Sequence, residues 1–87
     1  MVKQEVVLKN EVGLHARPAT FFIQEANRHR ASIWVEKNER RVNAKSLLGV
    51  LSLGIGDGDS VLISAEGDDE EEAVSALVAL IERNFCE

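Results

Sequence analysis

Apolar residues recur along the chain with two different periods, and the switches between them predict the order of the elements. Short β-branched or alternating segments predict strands, whereas apolar spacings of three and four predict helices. The predicted strands span Val2–Leu8, Ser32–Lys37, Arg40–Asn43 and Ser60–Glu66. The predicted helices span Ala16–Arg28, Ser46–Gly54 and Asp69–Arg83. This β-α-β-β-α-β-α order predicts an α+β sandwich, with helices covering one face of a four-stranded antiparallel sheet.

Turn and capping residues support these boundaries. Asn38-Glu39 is predicted to join two strands in a hairpin, although Asn-Glu is a poorer tight turn than Asn-Gly. Ser46 is a good helix N-cap, and Gly54 is a good stop at the other end. The acidic run EGDDEEE, residues 66–72, is expected to open the last helix, where negative charge favours the N-terminus. The run lacks the alternating ligands of a calcium loop.

Composition excludes several classes of protein. The 87 residues suffice for one domain, residues 1–87, and the hydrophobic (45%) and charged (29%) fractions are those of a globular protein. The net charge of −5 argues against a nucleic-acid partner. No apolar run is long enough to span a membrane, and no signal peptide is recognisable, so a cytoplasmic location is expected. The single cysteine, Cys86, excludes an internal disulfide framework and a cysteine-based zinc site.

The candidate chemistry lies in the stretch GLHARPAT, residues 13–20. His15 immediately precedes a predicted helix, whose first N–H groups lack internal partners and form an anion site. Arg17 adds a fixed cation on the first turn, where Pro18 is also well tolerated. The helix dipole and Arg17 disfavour the imidazolium form, which leaves a ring nitrogen of His15 free to attack. These features suggest that His15 accepts a phosphoryl group and passes it on.

The simpler alternative is that His15 is only a polar helix cap. A metal site is not expected, because the other histidine, His29, lies at the far end of the same helix and is interpreted as a C-terminal cap. A third possibility is a small ligand-binding or metal-binding α+β domain.

The segment SLLGVLSLG, residues 46–54, predicts a short helix that is apolar nearly all round. Such a helix cannot bury every side, so some of Leu47, Leu48 and Leu51 are expected to face solvent and form a partner site. Val50 and Leu53 are assigned to the core. Ser46 is either an ordinary cap or a phosphorylation site that switches docking at the adjacent leucines.

A second apolar surface is predicted on the face of the sheet opposite the helices. If Val6 faces the helices, alternation along the strands points Val7, Leu62 and Trp34 the other way. The three side chains are expected to line up across adjacent strands. They either stiffen an exposed sheet or form a face for weak self-association.

The motifs GLHARPA and VNAKSLLGVLSLG resemble those of the HPr family, the histidine-containing phosphocarriers of the bacterial phosphoenolpyruvate-dependent sugar phosphotransferase system. The resemblance covers nearly the whole chain. It implies an open-faced β-sandwich with strand order β1-β4-β2-β3 and three helices on one face. It also implies a phosphoryl carrier rather than an enzyme, with no cofactor, acting as a monomer.

The resemblance assigns roles to individual residues. It implies that His15 is phosphorylated at Nδ1 by enzyme I and donates to EIIA domains, while Arg17 stabilises the phosphoryl group. Ser46 would be phosphorylated by an HPr kinase/phosphorylase, which slows transfer and promotes binding to a catabolite-control repressor. The implied partner-binding residues are Thr20, Leu47, Leu48 and Leu51.

The alternative within the family is a regulator like Crh, which would act mainly through Ser46. Crh carries glutamine in place of the active histidine, whereas this chain keeps His15. The chain departs from the family at Leu48, often methionine, and at Glu39, where a hairpin glycine is common. Phe21 and Phe22 also make the first helix bulkier.

Overall fold

The computed structural model describes residues 1–8, 16–56 and 58–83 of the chain. The strands are β1 (Val2–Val7), β2 (Ser32–Lys37), β3 (Arg40–Asn43) and β4 (Ser60–Glu66). The helices are α1 (Ala16–Asn27), α2 (Leu47–Ser52) and α3 (Glu70–Glu82). Every predicted element is present, with ends that differ from the prediction by at most two residues. The predicted connector at residues 10–14 lies outside the described residues.

The four strands form one antiparallel sheet in the order β1-β4-β2-β3, which confirms the predicted architecture. Strand β4 is central and pairs with β1 through Val6↔Val61 and with β2 through Val35↔Ile63. These four side chains are buried on one face, where they pack in the same core as α1 and α3. Phe22 of α1 and Leu77 of α3 are among the largest fully buried side chains on the helix side of that core.

On the opposite face, the apolar side chains are staggered rather than aligned. Val7 pairs with Ser60 and Trp34 pairs with Ser64, while Leu62 lies between Glu5 and Glu36. The three apolar residues therefore form a diagonal in which each is offset by two residues from the next. The predicted apolar stripe across adjacent strands is therefore diagonal, because the register places a polar side chain directly opposite each of the three residues.

The β2–β3 hairpin turns through residues 38 and 39 as predicted. Both residues have positive φ, 51° at Asn38 and 69° at Glu39. Two successive residues of this kind form the type I′ turn, whose twist matches that of the strands it joins. Asparagine tolerates this conformation, but glutamate adopts it with strain because its Cβ crowds the backbone. The hairpin therefore forms in spite of Glu39.

The C-terminal end of α1 differs from its prediction. The helix ends at Asn27, so Arg28, His29 and Arg30 lie beyond its last turn. The His29 ring does not cap the helix carbonyl groups. Its Nε2 lies 3.0 Å from Glu25 Oε2 and its Nδ1 lies 3.4 Å from Asp69 Oδ2. The ring is 8% exposed, and its contacts with Glu25 and Asp69 link α1 to the start of α3.

The acidic run begins α3 as predicted. Glu70, Glu71 and Glu72 occupy the first turn, where they interact favourably with the helix dipole. None of the helices in the described part of the chain combines the length and the apolar character needed to cross a bilayer.

Candidate functional site

Helix α1 begins at Ala16, so His15 directly precedes its first residue, as the sequence predicts. The first N–H groups of such a helix have no partner inside it and carry partial positive charge. His15 itself and the side chain of Arg17 lie outside the described residues, and their roles stay predictions. Thr20 is exposed one turn along α1, while Phe22 and Ala26 fix the opposite side of the helix in the core.

Ser46 caps α2, which confirms its predicted structural role. Its Oγ accepts a hydrogen bond from the Gly49 backbone N–H at 3.2 Å, and its carbonyl oxygen accepts one from Val50 N at 3.0 Å. The Ser46 backbone is extended, as an N-cap requires. Ser46 is half-buried, and its hydroxyl lies at the N-terminal end of a short helix, beside the exposed Leu47 and Leu48.

The residues of α2 divide as predicted between the core and the surface. Val50 and Leu53 are buried, whereas Leu48 is 82% exposed and Leu47 is 39% exposed. Leu51 is half-buried and packs against the core. Leu47 and Leu48 are adjacent and both exposed, so they form a small apolar surface on the outer side of α2.

Phe21 is a further exposed apolar residue, which the helical pattern did not single out. Its side chain is 38% exposed, while that of Phe22 beside it is fully buried. The period of α1 assigns Phe22 and Ile23 to the core stripe, which leaves Phe21 off that stripe. The position of Phe21 outside the core stripe is the sequence signal that could have identified it as an exposed apolar residue.

The C-terminal end of α2 is held by two cations of the hairpin, which sequence reasoning missed. Lys37 Nζ donates to Gly54 O at 2.8 Å and also contacts Asp59 Oδ2 at 2.8 Å. Arg40 donates to Ser52 O at 3.1 Å. The hydrogen bond from Lys37, together with one from the Gly56 N–H, lowers the pKa of Asp59.

The junction between α1 and α3 is centred on the Asp69 carboxylate. It accepts hydrogen bonds from the backbone N–H groups of Arg30 and Ala31, at 3.0 and 2.8 Å, and faces the His29 ring. Donation from Arg30, then from Ala31, lowers the pKa of Asp69 and outweighs the opposing effect of burial. Lys45, the residue before Ser46, also contacts the junction, because its Nζ donates a hydrogen bond to His29 O at 2.8 Å.

No three His, Cys, Asp or Glu side chains of the described residues are grouped as metal ligands would be. The described residues present a helix N-terminus at residue 16 and, separately, a short helix with exposed leucines that begins at Leu47, after its Ser46 cap.

The sequence of this chain from residue 2 to residue 83 matches the family model for the PTS HPr component phosphorylation site. The chain belongs to the HPr family. Its four-stranded sheet and three helices are those of solved HPr structures. The HPr of Thermoanaerobacter tengcongensis superimposes with a TM-score of 0.96 at 54% identity, over 100% of this chain and 98% of that one.

Curated relatives of the HPr family fall into two groups. The HPr-like protein Crh of Halalkalibacterium halodurans is 49% identical, over 95% of this chain and 99% of its own. The phosphocarrier protein HPr of Neisseria meningitidis is 40% identical, over 100% of this chain and 98% of its own. The chain is thus similar to both kinds of HPr-family protein.

Some solved structures of HPr-family proteins contain dimers. They include an HPr dimer from T. tengcongensis, at 54% identity and a TM-score of 0.80. They also include a domain-swapped Crh dimer from Bacillus subtilis, at 41% identity and a TM-score of 0.78. Both comparisons cover 100% of each chain. The expectation of a monomer is therefore in doubt.

Proposed function

We propose that this protein is a phosphocarrier that accepts a phosphoryl group on His15 from phospho-enzyme I and donates it to EIIA domains. The observation that supports this most directly is the position of His15 within GLHARPA, one residue before α1 begins. The protein would then be a carrier in a relay and would have no turnover of its own.

The proposed transfer follows from the chemistry of a helix N-terminus. The neutral Nδ1 of His15 attacks the phosphorus, the P–N bond to His15 forms, and the bond to the donor residue of enzyme I breaks with its electron pair returning to the donor. The N–H groups at the start of α1 and the Arg17 guanidinium bind the phosphoryl oxygens. The second transfer, to EIIA, repeats the exchange with His15 as the leaving group.

Overall identity does not decide between carrier and regulator. The chain is 49% identical to the Crh of H. halodurans, but it is also 54% identical to the HPr of T. tengcongensis. The residue at position 15 is more informative than the average identity, because a histidine there supplies a nucleophile and the glutamine of Crh does not. His15 therefore favours the carrier.

The proposal is tested by incubating the protein with phosphoenolpyruvate and enzyme I and measuring its intact mass before and after brief acid treatment. We expect the mass of one phosphoryl group to be gained and then lost in acid. The His15→Ala variant should gain nothing. An unmodified wild-type protein beside a proven active enzyme I would reject the carrier function.

A second candidate function is regulation through Ser46, which the capping geometry of α2 favours. A phosphoryl group on Oγ would place negative charge at a helix N-terminus and beside Leu47. An HPr kinase/phosphorylase with ATP should then give an acid-stable mass gain that Ser46→Ala abolishes, and the product should bind a catabolite-control repressor. Unmodified protein beside an active kinase would reject this role.

A monomer stays our proposal for the carrier, against the dimers of relatives. Sedimentation velocity over a range of concentrations tests it, and Trp34→Lys tests whether the open face of the sheet contributes to any dimer. A cytoplasmic location, the single-domain organisation and the absence of nucleic-acid or membrane partners stay predictions.

A further inference from the structure

Helix α2 is too short to be stable by itself, because isolated helices of fewer than about twelve residues are marginal in water. It has six residues, and its outward side chains Leu47 and Leu48 contribute little to the core. Its orientation is set by the packing of the buried Val50 and the half-buried Leu51 on the core, and by contacts at its two ends. Ser46 holds the N-terminal end, and the hairpin holds the other.

Lys37 is the first contact from the hairpin. Its ammonium group donates to Gly54 O, which is exposed by the end of α2, and it also pairs with Asp59. Asp59 in turn accepts a hydrogen bond from Gly56 N at 2.7 Å. One half-buried cation thus joins the end of α2 to the loop that leads into β4.

Arg40 is the second contact, and it reaches the last residue of the helix. One guanidinium nitrogen donates to Ser52 O at 3.1 Å, and another lies 3.5 Å from Ser52 Oγ. The Ser52 hydroxyl itself donates to Gly49 O at 2.6 Å. Cations that bind the final carbonyl groups of a helix satisfy its unpaired acceptors and interact favourably with its dipole.

Lys37 and Arg40 extend from the same hairpin. Lys37 and Arg40 are directly opposite each other in the β2–β3 ladder, on either side of the Asn38-Glu39 turn. Because they form one cross-strand pair, they lie on the same face of the sheet, the face that carries the helices. The hairpin therefore holds the C-terminal end of α2 at two points.

We propose that Lys37 and Arg40 are positioning residues that set the affinity for partner proteins by holding α2 and its exposed leucines in place. The inference rests on the proposed function, since it requires partners that dock on Leu47 and Leu48. Lys37 and Arg40 bind the C-terminal end of α2, whereas the proposed phosphoryl site lies at the N-terminus of α1. Their loss should weaken docking and leave the chemical step unchanged.

The experiment measures the KM and kcat of enzyme I for this protein as substrate, using Arg40→Gln and the matched control Arg41→Gln. Both variants lose one exposed positive charge from the same strand. Arg41, however, lies over the Trp34 ring, 4.2 Å from its centroid, on the open face and away from α2. We expect KM to rise about tenfold in Arg40→Gln, from the loss of a charged hydrogen bond, with kcat unchanged. Arg41→Gln should stay near wild type.

Two further measurements separate positioning from general loss of structure. Arg40→Lys keeps a donor within reach of Ser52 O and should recover most of the lost affinity. Amide hydrogen exchange at Leu53 and Gly54, whose N–H groups bond to Val50 O and Leu51 O, should accelerate in Arg40→Gln and Lys37→Gln but not in Arg41→Gln.

The outcomes distinguish this inference from the proposed function. Equal KM values in Arg40→Gln, Lys37→Gln and Arg41→Gln would overturn the inference while phosphorylation of His15 still upheld the carrier. A fall in kcat with KM unchanged would also overturn it. Failure of wild-type protein to be phosphorylated would reject the carrier function and this inference with it.

Discussion

Helix α2 and the junction between α1 and α3 belong to the same helical layer, but they are held in opposite ways. At the junction, the His29 ring is buried between two carboxylates, and the backbone of Gly67 approaches Ala31 closely. At α2, by contrast, Leu48 is exposed and the helix is held by hydrogen bonds at its two ends. The junction is thus held by contacts between segments that are distant in the sequence. The short helix presents Leu47 and Leu48 outside the core, so the contacts at its two ends add to the packing of Val50 in holding it in position.

The largest expected effect is a difference in the free energy of unfolding between two truncations, one of a buried apolar residue of α1 and one of an exposed apolar residue of α2. Phe22→Ala removes a fully buried ring and should lower the free energy of unfolding by about 3–5 kcal/mol. Leu48→Ala removes a side chain that is 82% exposed and should change it by less than about 0.5 kcal/mol. Urea unfolding followed by Trp34 fluorescence or circular dichroism measures both.

A binding measurement should show a large effect of Leu48→Ala in spite of its small effect on stability. Leu48→Ala is expected to weaken partner binding, whereas Phe21→Ala provides a control for an exposed apolar residue on α1. A large loss of stability in Leu48→Ala would show that the leucine belongs to the core of the fold and that the contrast between the two regions is wrong.

The next largest effect is expected at the junction, in Gly67→Ala. Gly67 has a φ of 152°, and a Cβ at this position would lie 2.7 Å from Ala31 Cα. Because that contact is with backbone, the chain must shift, and we expect a loss of about 2–3 kcal/mol. Gly58→Ala is the control, since its φ of 86° brings the strain while no atom lies within 4 Å of its added Cβ. Equal losses in the two variants would show that the close approach to Ala31 is unimportant.

The sequence predicted the elements well because their signals are local. Alternation, helical spacing, the Ser46 cap and the Gly54 stop each depend on neighbours in the chain. The division of α2 into buried Val50 and exposed Leu48 was also predictable, since a short helix has only one buried side. The side-chain positions of His15 and Arg17 stay predictions.

Contacts between distant segments were not predictable. His29 looked like a cap for α1, but its partner Asp69 is 40 residues further along the chain. The role of Lys37 and Arg40 depends on where the hairpin packs against α2, and no local pattern encodes that. The stagger of Val7, Leu62 and Trp34 depends on strand register, which alternation alone does not determine.

A smaller effect is expected in the hairpin that holds α2. Glu39→Gly removes a side chain from a residue with a φ of 69° and should stabilise the protein by about 0.5–1 kcal/mol, net of the greater freedom of glycine in the unfolded chain. Thermal unfolding measures the change. Asn38→Gly should have less effect, because asparagine already tolerates this conformation. A destabilised Glu39→Gly protein would contradict a strained turn.

The subtlest effect concerns the acid stability of the α1–α3 junction, tested by Asp69→Asn. Hydrogen bonds from Arg30 and Ala31 lower the pKa of Asp69 in the folded protein. Its stabilising contribution is therefore fully present above the pKa of an unfolded-state aspartate and is lost as the pH falls through the lower folded-state value. Asp69→Asn should be less stable than wild type at pH 7, and the difference should shrink towards pH 2. Urea unfolding across that range measures it.

Asp68→Asn supplies the control, because it removes the same charge from the adjacent, exposed residue, which accepts no hydrogen bond from the described residues. Wild type itself should continue to lose stability in acid, since the pKa values of Asp59 and Glu70 are lowered as well. The contribution of Asp69 is therefore measured by the difference in the free energy of unfolding between wild type and Asp69→Asn at each pH. A difference that stays constant from pH 7 to pH 2 would mean that the Asp69 carboxylate acts through its shape alone, and that α1 and α3 are held together by packing rather than by charge.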